Sequence, residues 1–176
     1  MTAKRKLYAP PMLIGLKGPH GCGKSTLARA IAQRYEGFVV YSFADDMRRQ
    51  VTEYLAQQRL ADPVVARYMH SVGSIFAHGV KDRVIPGIEC TPRDLLIEIG
   101  EGQRKLDPDY WVDQMRERIA ETHRHVIIDD VMFENEEQMI RGVNGMVFAL
   151  ETHEDVRIKA AKLVAFMTEV RDMRWI

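Results

Sequence analysis

The chain has 176 residues, with 25 Lys and Arg against 25 Asp and Glu, so its formal net charge is zero. Hydrophobic residues at 46% and charged residues at 28% exclude a disordered chain, and the neutral balance argues against a protein that holds nucleic acid mainly by neutralising phosphates. No apolar run nears the ~20 residues of a membrane span, and Cys22 and Cys90 are too few for a disulfide framework. We therefore expect one soluble, cytoplasmic domain spanning residues 1–176. Lys4-Arg5-Lys6 ahead of Leu7 to Leu16 imitates a secretory signal, but Pro10-Pro11 interrupts the apolar run.

In chain order, Met12 to Leu16 is a short apolar run that reads as a buried strand. Gly18-Pro19-His20-Gly21-Cys22-Gly23-Lys24-Ser25 follows and fits G-x-x-x-x-G-K-[ST] at every fixed position. Glycines at such a turn let successive backbone N–H groups face an anion. From Lys24 the apolar period changes to Leu27, Ile31 and Tyr35, so a helix follows and contributes its positive end. The expected nucleotide contacts are Gly18, His20, Gly21, Cys22, Gly23, Lys24, Ser25 and Thr26, with Lys24 on the β- and γ-phosphates and Ser25 on magnesium.

Phe38 to Tyr41 is a second strand, and Ser42-Phe43-Ala44-Asp45 has capping-box spacing before another helix. Asp45 is either the third residue of that box or a general base for a hydroxyl acceptor, and Arg48 is either a solvated helix residue or a grip for an anionic acceptor. Residues 48–83 read as helical, broken at Asp62-Pro63 and Gly73, and Pro86-Gly87 leads into a loop. Thr91-Pro92-Arg93-Asp94 opens a helix expected to end near Gly100 or Gly102. Arg93, Arg104 and Lys105 add cations that favour an anionic acceptor.

Asp107-Pro108 opens the next helix, where Trp111, Met115 and Ile119 share one stripe. Trp111 is thus either core or a platform for a base. Val126 to Ile128 is a third strand ending in Asp129-Asp130, where a carboxylate can hold magnesium or simply cap the following turn. His123 and His125 read as solvated histidines rather than metal ligands. A helix over 134–141, a strand over 146–150 and an amphipathic helix over 154–171 complete the chain. Strands alternating with helices define an α/β fold with a largely parallel sheet.

Together these residues resemble the deoxynucleoside monophosphate kinases of tailed bacteriophages. Four segments carry the likeness: the glycine-rich loop, Phe43 to Arg48, Thr91 to Leu96 with Gly100 and Asp109-Tyr110-Trp111-Val112, and Ile127 to Val131 with Asn135-Glu136. The resemblance implies a three-layer P-loop nucleotide kinase fold with a short parallel sheet in the order 2-3-1-4, the fifth strand left open, and a helical acceptor-side insertion at about 44–122. It implies transfer of the γ-phosphoryl of ATP, with Mg2+, to a deoxynucleoside monophosphate. Lys24, Arg48, Arg93 and Asp130 would be catalytic; Asp45, Arg48, Arg93, Arg104, Trp111 and Asp130 would line the acceptor site, and Ser25 and Asp129 would meet the metal. It also implies a host-cytoplasmic enzyme that acts without nucleic acid or membrane and is often a homodimer. Ile97, Glu101 and Met132 stand where the family commonly has Gln, Thr and Arg, and Arg157, Arg171 and Arg174 are the remaining candidates for a lid arginine. The rival readings are a P-loop kinase of a hydroxyl acceptor with Asp45 as base, and a regulatory ATPase.

Overall fold

A computed structural model describes residues 11–77, 79–151 and the single position 165. The expected helix over 154–171 and the arginines at 157, 171 and 174 lie outside the described residues. The chain divides into two compact units, one formed by Met1–Ser42 with Arg118–Ile176 and the other by Phe43–Glu117. We call them the sheet unit and the helical unit.

The sheet unit holds β1 (Leu13–Lys17), α1 (Lys24–Arg34), β2 (Phe38–Tyr41), β3 (His125–Val131), α6 (Glu134–Gly142) and β4 (Met146–Ala149). All pairings are parallel, in the order β2-β3-β1-β4. Side chains alternate along a strand, and β1 uses this to bury both faces. Ile14 and Leu16 pack with Leu27, Ala28 and Ile31 of α1. Gly15 points the other way, where an added Cβ would lie 2.6 Å from the Ile140 side chain of α6. Helices therefore cover both faces of the sheet, giving three α/β layers.

The register of β1 against β3 slips once. Gly15 pairs with Ile128 but Lys17 pairs with Val131, so β3 advances three residues while β1 advances two. The extra residue is a β-bulge at Asp129-Asp130, which re-aims side chains where the strand ends.

The helical unit contains α2 (Ala44–Ala61), α3 (Pro63–Ser71), α4 (Pro92–Leu106) and the start of α5 (Tyr110–Glu121). Val51 and Leu55 of α2 and Leu95 of α4 share a core with Ile75 and Ile85. Asp62 caps α3 by accepting the Val64 N–H at 2.7 Å, ahead of Pro63 at the first helical position.

Three sequence expectations need correction. Helix does not resume after Gly73: α3 ends at Ser71, and 72–91 runs in turns such as Ala77 N–H to Ser74 O (3.1 Å) and Arg83 N–H to Val80 O (2.9 Å). Ile75 and Ile85 are the buried residues of that stretch, with Val72, Phe76 and Ile88 packed beside them. Next, α4 does not stop at its glycines but runs to Leu106. A Cβ at Gly100 would meet the Met47 sulfur at 3.2 Å, so tight packing outweighs the ~1 kcal/mol that a helical glycine costs. Finally, the capping box at Ser42 does not form. Phe43 is the N-cap of α2 and makes no side-chain cap bond, while the Ser42 hydroxyl donates to Asp130. The box predicted at Thr91 is present, with Thr91 and Asp94 bonding reciprocally.

Candidate functional site

Between β1 and α1 the backbone turns through three glycines of positive φ: Gly18 (147°), Gly21 (80°) and Gly23 (93°). At Gly18 space and angle both demand glycine, because a Cβ would stand 2.1 Å from the Leu150 carbonyl oxygen. At Gly21 only the angle does, since nothing lies within 4 Å. Gly23 is the N-cap of α1 and brings no side chain to cap it, and the first turn has no acid. The helix thus begins with its positive dipole end uncapped by any side chain of the N-cap or acid of the first turn.

Lys24 is folded back over this turn. Its ammonium donates to the carbonyls of Gly18 (2.6 Å) and Pro19 (2.9 Å) and lies 3.8 Å from the Cys22 sulfur. Cys22 is buried, Ser25 half-buried, and His20 and Thr26 exposed. Of the predicted contacts, Cys22 therefore packs with the core cluster under the loop rather than facing solvent.

Asp129 and Asp130 close β3, the strand beside β1, so acids and loop both leave the carboxyl edge of the sheet. Both are half-buried, and Asp130 accepts the Ser42 hydroxyl from the end of β2. Among the described residues no three His, Cys, Asp or Glu gather as a self-sufficient metal cage. Magnesium does not need one, being held characteristically by one or two carboxylates plus phosphate oxygens and water. The donor set of Ser25 and Asp129 fits that ion. His125 sits at the other end of β3, where its Nδ1 accepts the Met12 N–H at 2.9 Å and its ring packs on Phe38. It is thus packed and bonded at the start of the strand rather than solvated as expected.

Glu136 had no role assigned from the sequence, yet among the described residues it is the only buried acid, at 2% exposure. Its carboxylate accepts the N–H groups of Met132 (2.8 Å) and Phe133 (3.1 Å), pinning the turn directly after the strand-end acids. An acid three residues past a helix start was the available signal. Next to it, Glu137 bridges Lys17 of β1 (2.6 Å) and Arg141 (2.7 Å). Lys17 first, then Arg141, hold the Glu137 carboxyl below the usual range.

In the helical unit two of the predicted cations, Arg48 and Arg93, already have a carboxylate. Arg48 bonds Asp45 one turn back (2.9 Å), and Arg93 bonds Asp82 through Nε. Arg49, which by default reads as a solvated helix residue, bonds Asp46 and Glu53 at 3.2 Å each. These pairs are substantially exposed, and the Asp82 bond raises the Arg93 guanidinium further above its ordinary value. Arg104 reaches the Gly100 carbonyl at 3.4 Å. Trp111 takes its packing alternative: it is 2% exposed, with its indole N–H on Gly100 O at 3.1 Å and Tyr110 edge-on at 4.8 Å. Neither face of that ring is open to a base in this structure.

Compared with known proteins, the chain matches no family model and no curated protein.

Proposed function

We propose that the chain is a P-loop phosphotransferase. The carrying observation is the turn at Gly18 to Ser25, where positive-φ glycines, an uncapped helix start without acids and a lysine folded onto the turn occur together. A lysine satisfied by its own loop carbonyls can exchange those bonds for phosphate oxygens with little rearrangement.

More narrowly, we read it as a kinase that moves the γ-phosphoryl of ATP to a deoxynucleoside or nucleoside monophosphate. Magnesium, when bound, would offset phosphate charge, with Ser25 and Asp129 as its protein partners. Asp130, held by the Ser42 hydroxyl, would lie at the acceptor side of the same strand end. Arg48 and Arg93 would exchange Asp45 and Asp82 for the acceptor's phosphate, a group already ionised at neutral pH that requires no base. Asp45 is bonded to Arg48 at 2.9 Å rather than set up to take a proton, which favours this reading over a hydroxyl acceptor.

The test is ADP release from ATP and magnesium across a panel of deoxy- and ribonucleoside monophosphates and nucleosides, with Lys24→Ala as control. Turnover with monophosphates that the control abolishes is the expected result. Turnover with nucleosides alone would transfer the case to Asp45 as base. Silence throughout, with ATP still bound, would remove the kinase reading.

A further inference from the structure

In the sheet unit α6 is closed by a turn whose geometry dictates two particular residues. Asn144 holds a φ of 59° just past the helix. Its N–H donates to the Arg141 carbonyl at 3.0 Å, and the Gly145 N–H donates to the Ile140 carbonyl at 2.9 Å. These two bonds make a Schellman motif, with Asn144 as its left-handed residue. Asparagine tolerates that angle better than most side chains do. Glycine is required directly after it, because a Cβ at 145 would stand 2.6 Å from the Ile140 carbonyl oxygen and 2.9 Å from that of Leu13. Backbone geometry and packing thus set an exposed asparagine before a glycine. The only other asparagine in the chain, Asn135, lies within α6 and precedes the bulkier Glu136.

That pair has a chemistry of its own. The backbone nitrogen of Gly145 can attack the side-chain amide carbon of Asn144, since glycine brings no side chain to hinder the approach. A new N–C bond closes a succinimide ring, the Gly145 nitrogen gives up its proton, and ammonia leaves. Water then opens the ring at either carbonyl, leaving aspartate or isoaspartate. The proton lost is the one that Gly145 donates to Ile140, and an imide nitrogen has none to give. Isoaspartate also routes the main chain through the side chain, adding a methylene where the motif needs a left-handed residue. The closed turn and the reaction therefore exclude each other.

We propose that Asn144 is a deamidation site which the folded turn keeps closed, and that its conversion to isoaspartate loosens β4 from the sheet. The chain enters β4 from α6 through this turn, and β4 then runs from Met146, level with Ile14, to Ala149, level with Lys17. Just beyond, the Leu150 N–H donates to the Lys17 carbonyl at 2.8 Å, and the Leu150 carbonyl backs onto Gly18. A change at Asn144 thus reaches one wall of the glycine-rich loop. The proposal is independent of the phosphotransfer reading, since it is read by mass and by melting rather than by turnover.

Peptide mapping of the full chain tests it, after incubation in mildly alkaline buffer with and without guanidinium chloride. Mass spectrometry with fragmentation locates the converted residue and separates aspartate from isoaspartate. Conversion should concentrate at Asn144, leave Asn135 behind, and run at least about tenfold slower in the folded chain, because the turn must open first. Returned to plain buffer, the converted wild-type chain should melt at a lower temperature than before. Asn144→Gly keeps the left-handed angle without the amide, so the same cycle should leave its melting temperature unchanged. A chain that converts equally fast folded and unfolded overturns the proposal, as does one that converts in neither state or equally at both asparagines. So does a chain that carries isoaspartate at 144 and melts like the fresh protein, or an Asn144→Gly chain that loses as much as the wild type.

Discussion

In the sheet unit the candidate phosphate site is made of backbone. Gly18, Gly21 and Gly23 hold positive φ, α1 starts uncapped, and the acids of β3 are fixed by a bulge and by Ser42. In the helical unit the candidate acceptor site is made of long side chains, Arg48 and Arg93, each resting on an exposed carboxylate within its own unit. A backbone site costs no side-chain ordering when its ligand arrives, whereas an arginine site must break one ion pair to make another. The first is therefore rigid and unforgiving of substitution; the second is adjustable and tolerant in stability. Perturbing each unit in turn exposes that contrast.

The largest effect is expected from Lys24→Ala, which removes the cation on the loop and should lower turnover at least about 10²-fold, measured as ADP release. Gly18→Ala should come next. Its Cβ would stand 2.1 Å from the Leu150 carbonyl oxygen at a φ of 147°. Strain and overpacking together should cost about 2–4 kcal/mol, read as a melting temperature lowered by roughly 2–4 °C per kcal/mol. Gly21→Ala meets no atom within 4 Å and should cost only the left-handed penalty of about 1–2 kcal/mol. If the two glycines behaved alike, the steric account of Gly18 would be wrong.

The helical unit should respond more gently. Asp82→Asn removes the carboxylate beside Arg93, an exposed pair, and should change stability by no more than about 1 kcal/mol in a denaturant titration. Under the kinase reading it should still alter KM for the acceptor, because it frees the cation. A larger stability loss would show that the pair is structural.

The smallest effect is on pH dependence. The Thr91 hydroxyl first, then the Thr91 N–H, hold the Asp94 carboxyl below its usual range, and Lys17 and Arg141 do the same for Glu137. Both folded values lie under the unfolded ones, so the unfolded chain binds more protons in that acidic window. The stabilisation is present above the ordinary carboxylate range and is lost as pH falls through the folded values. Thr91→Ala should lower the neutral plateau of the melting-temperature profile more than its acid end, and so flatten the acid limb.

The strands, their parallel arrangement, the glycine-rich loop and the start of α4 were all legible in the sequence, because each follows from neighbours in the chain. Apolar runs, a strand-to-helix glycine turn and a Thr-Pro-x-Asp cap are local signals whose physics acts within a few residues. The fate of polar and glycine residues was not legible, because it depends on partners remote in sequence. Ser42 looked like a cap and instead donates to Asp130, 88 residues on. Gly100 looked like a helix stop and instead admits Met47 of α2. Trp111 read equally well as core or base platform until Gly100 took its N–H. Glu136 stood in the sequence only as half of an Asn-Glu pair without an assigned role, and only the fold buries it under two backbone donors. Sequence alone thus set the α/β layering and the glycine-rich turn between β1 and α1, since periodicity and turn geometry are written in consecutive residues. Tertiary structure decided which carboxylates, cations and aromatics remain available to a ligand, since a hydrogen bond between distant segments leaves no local trace.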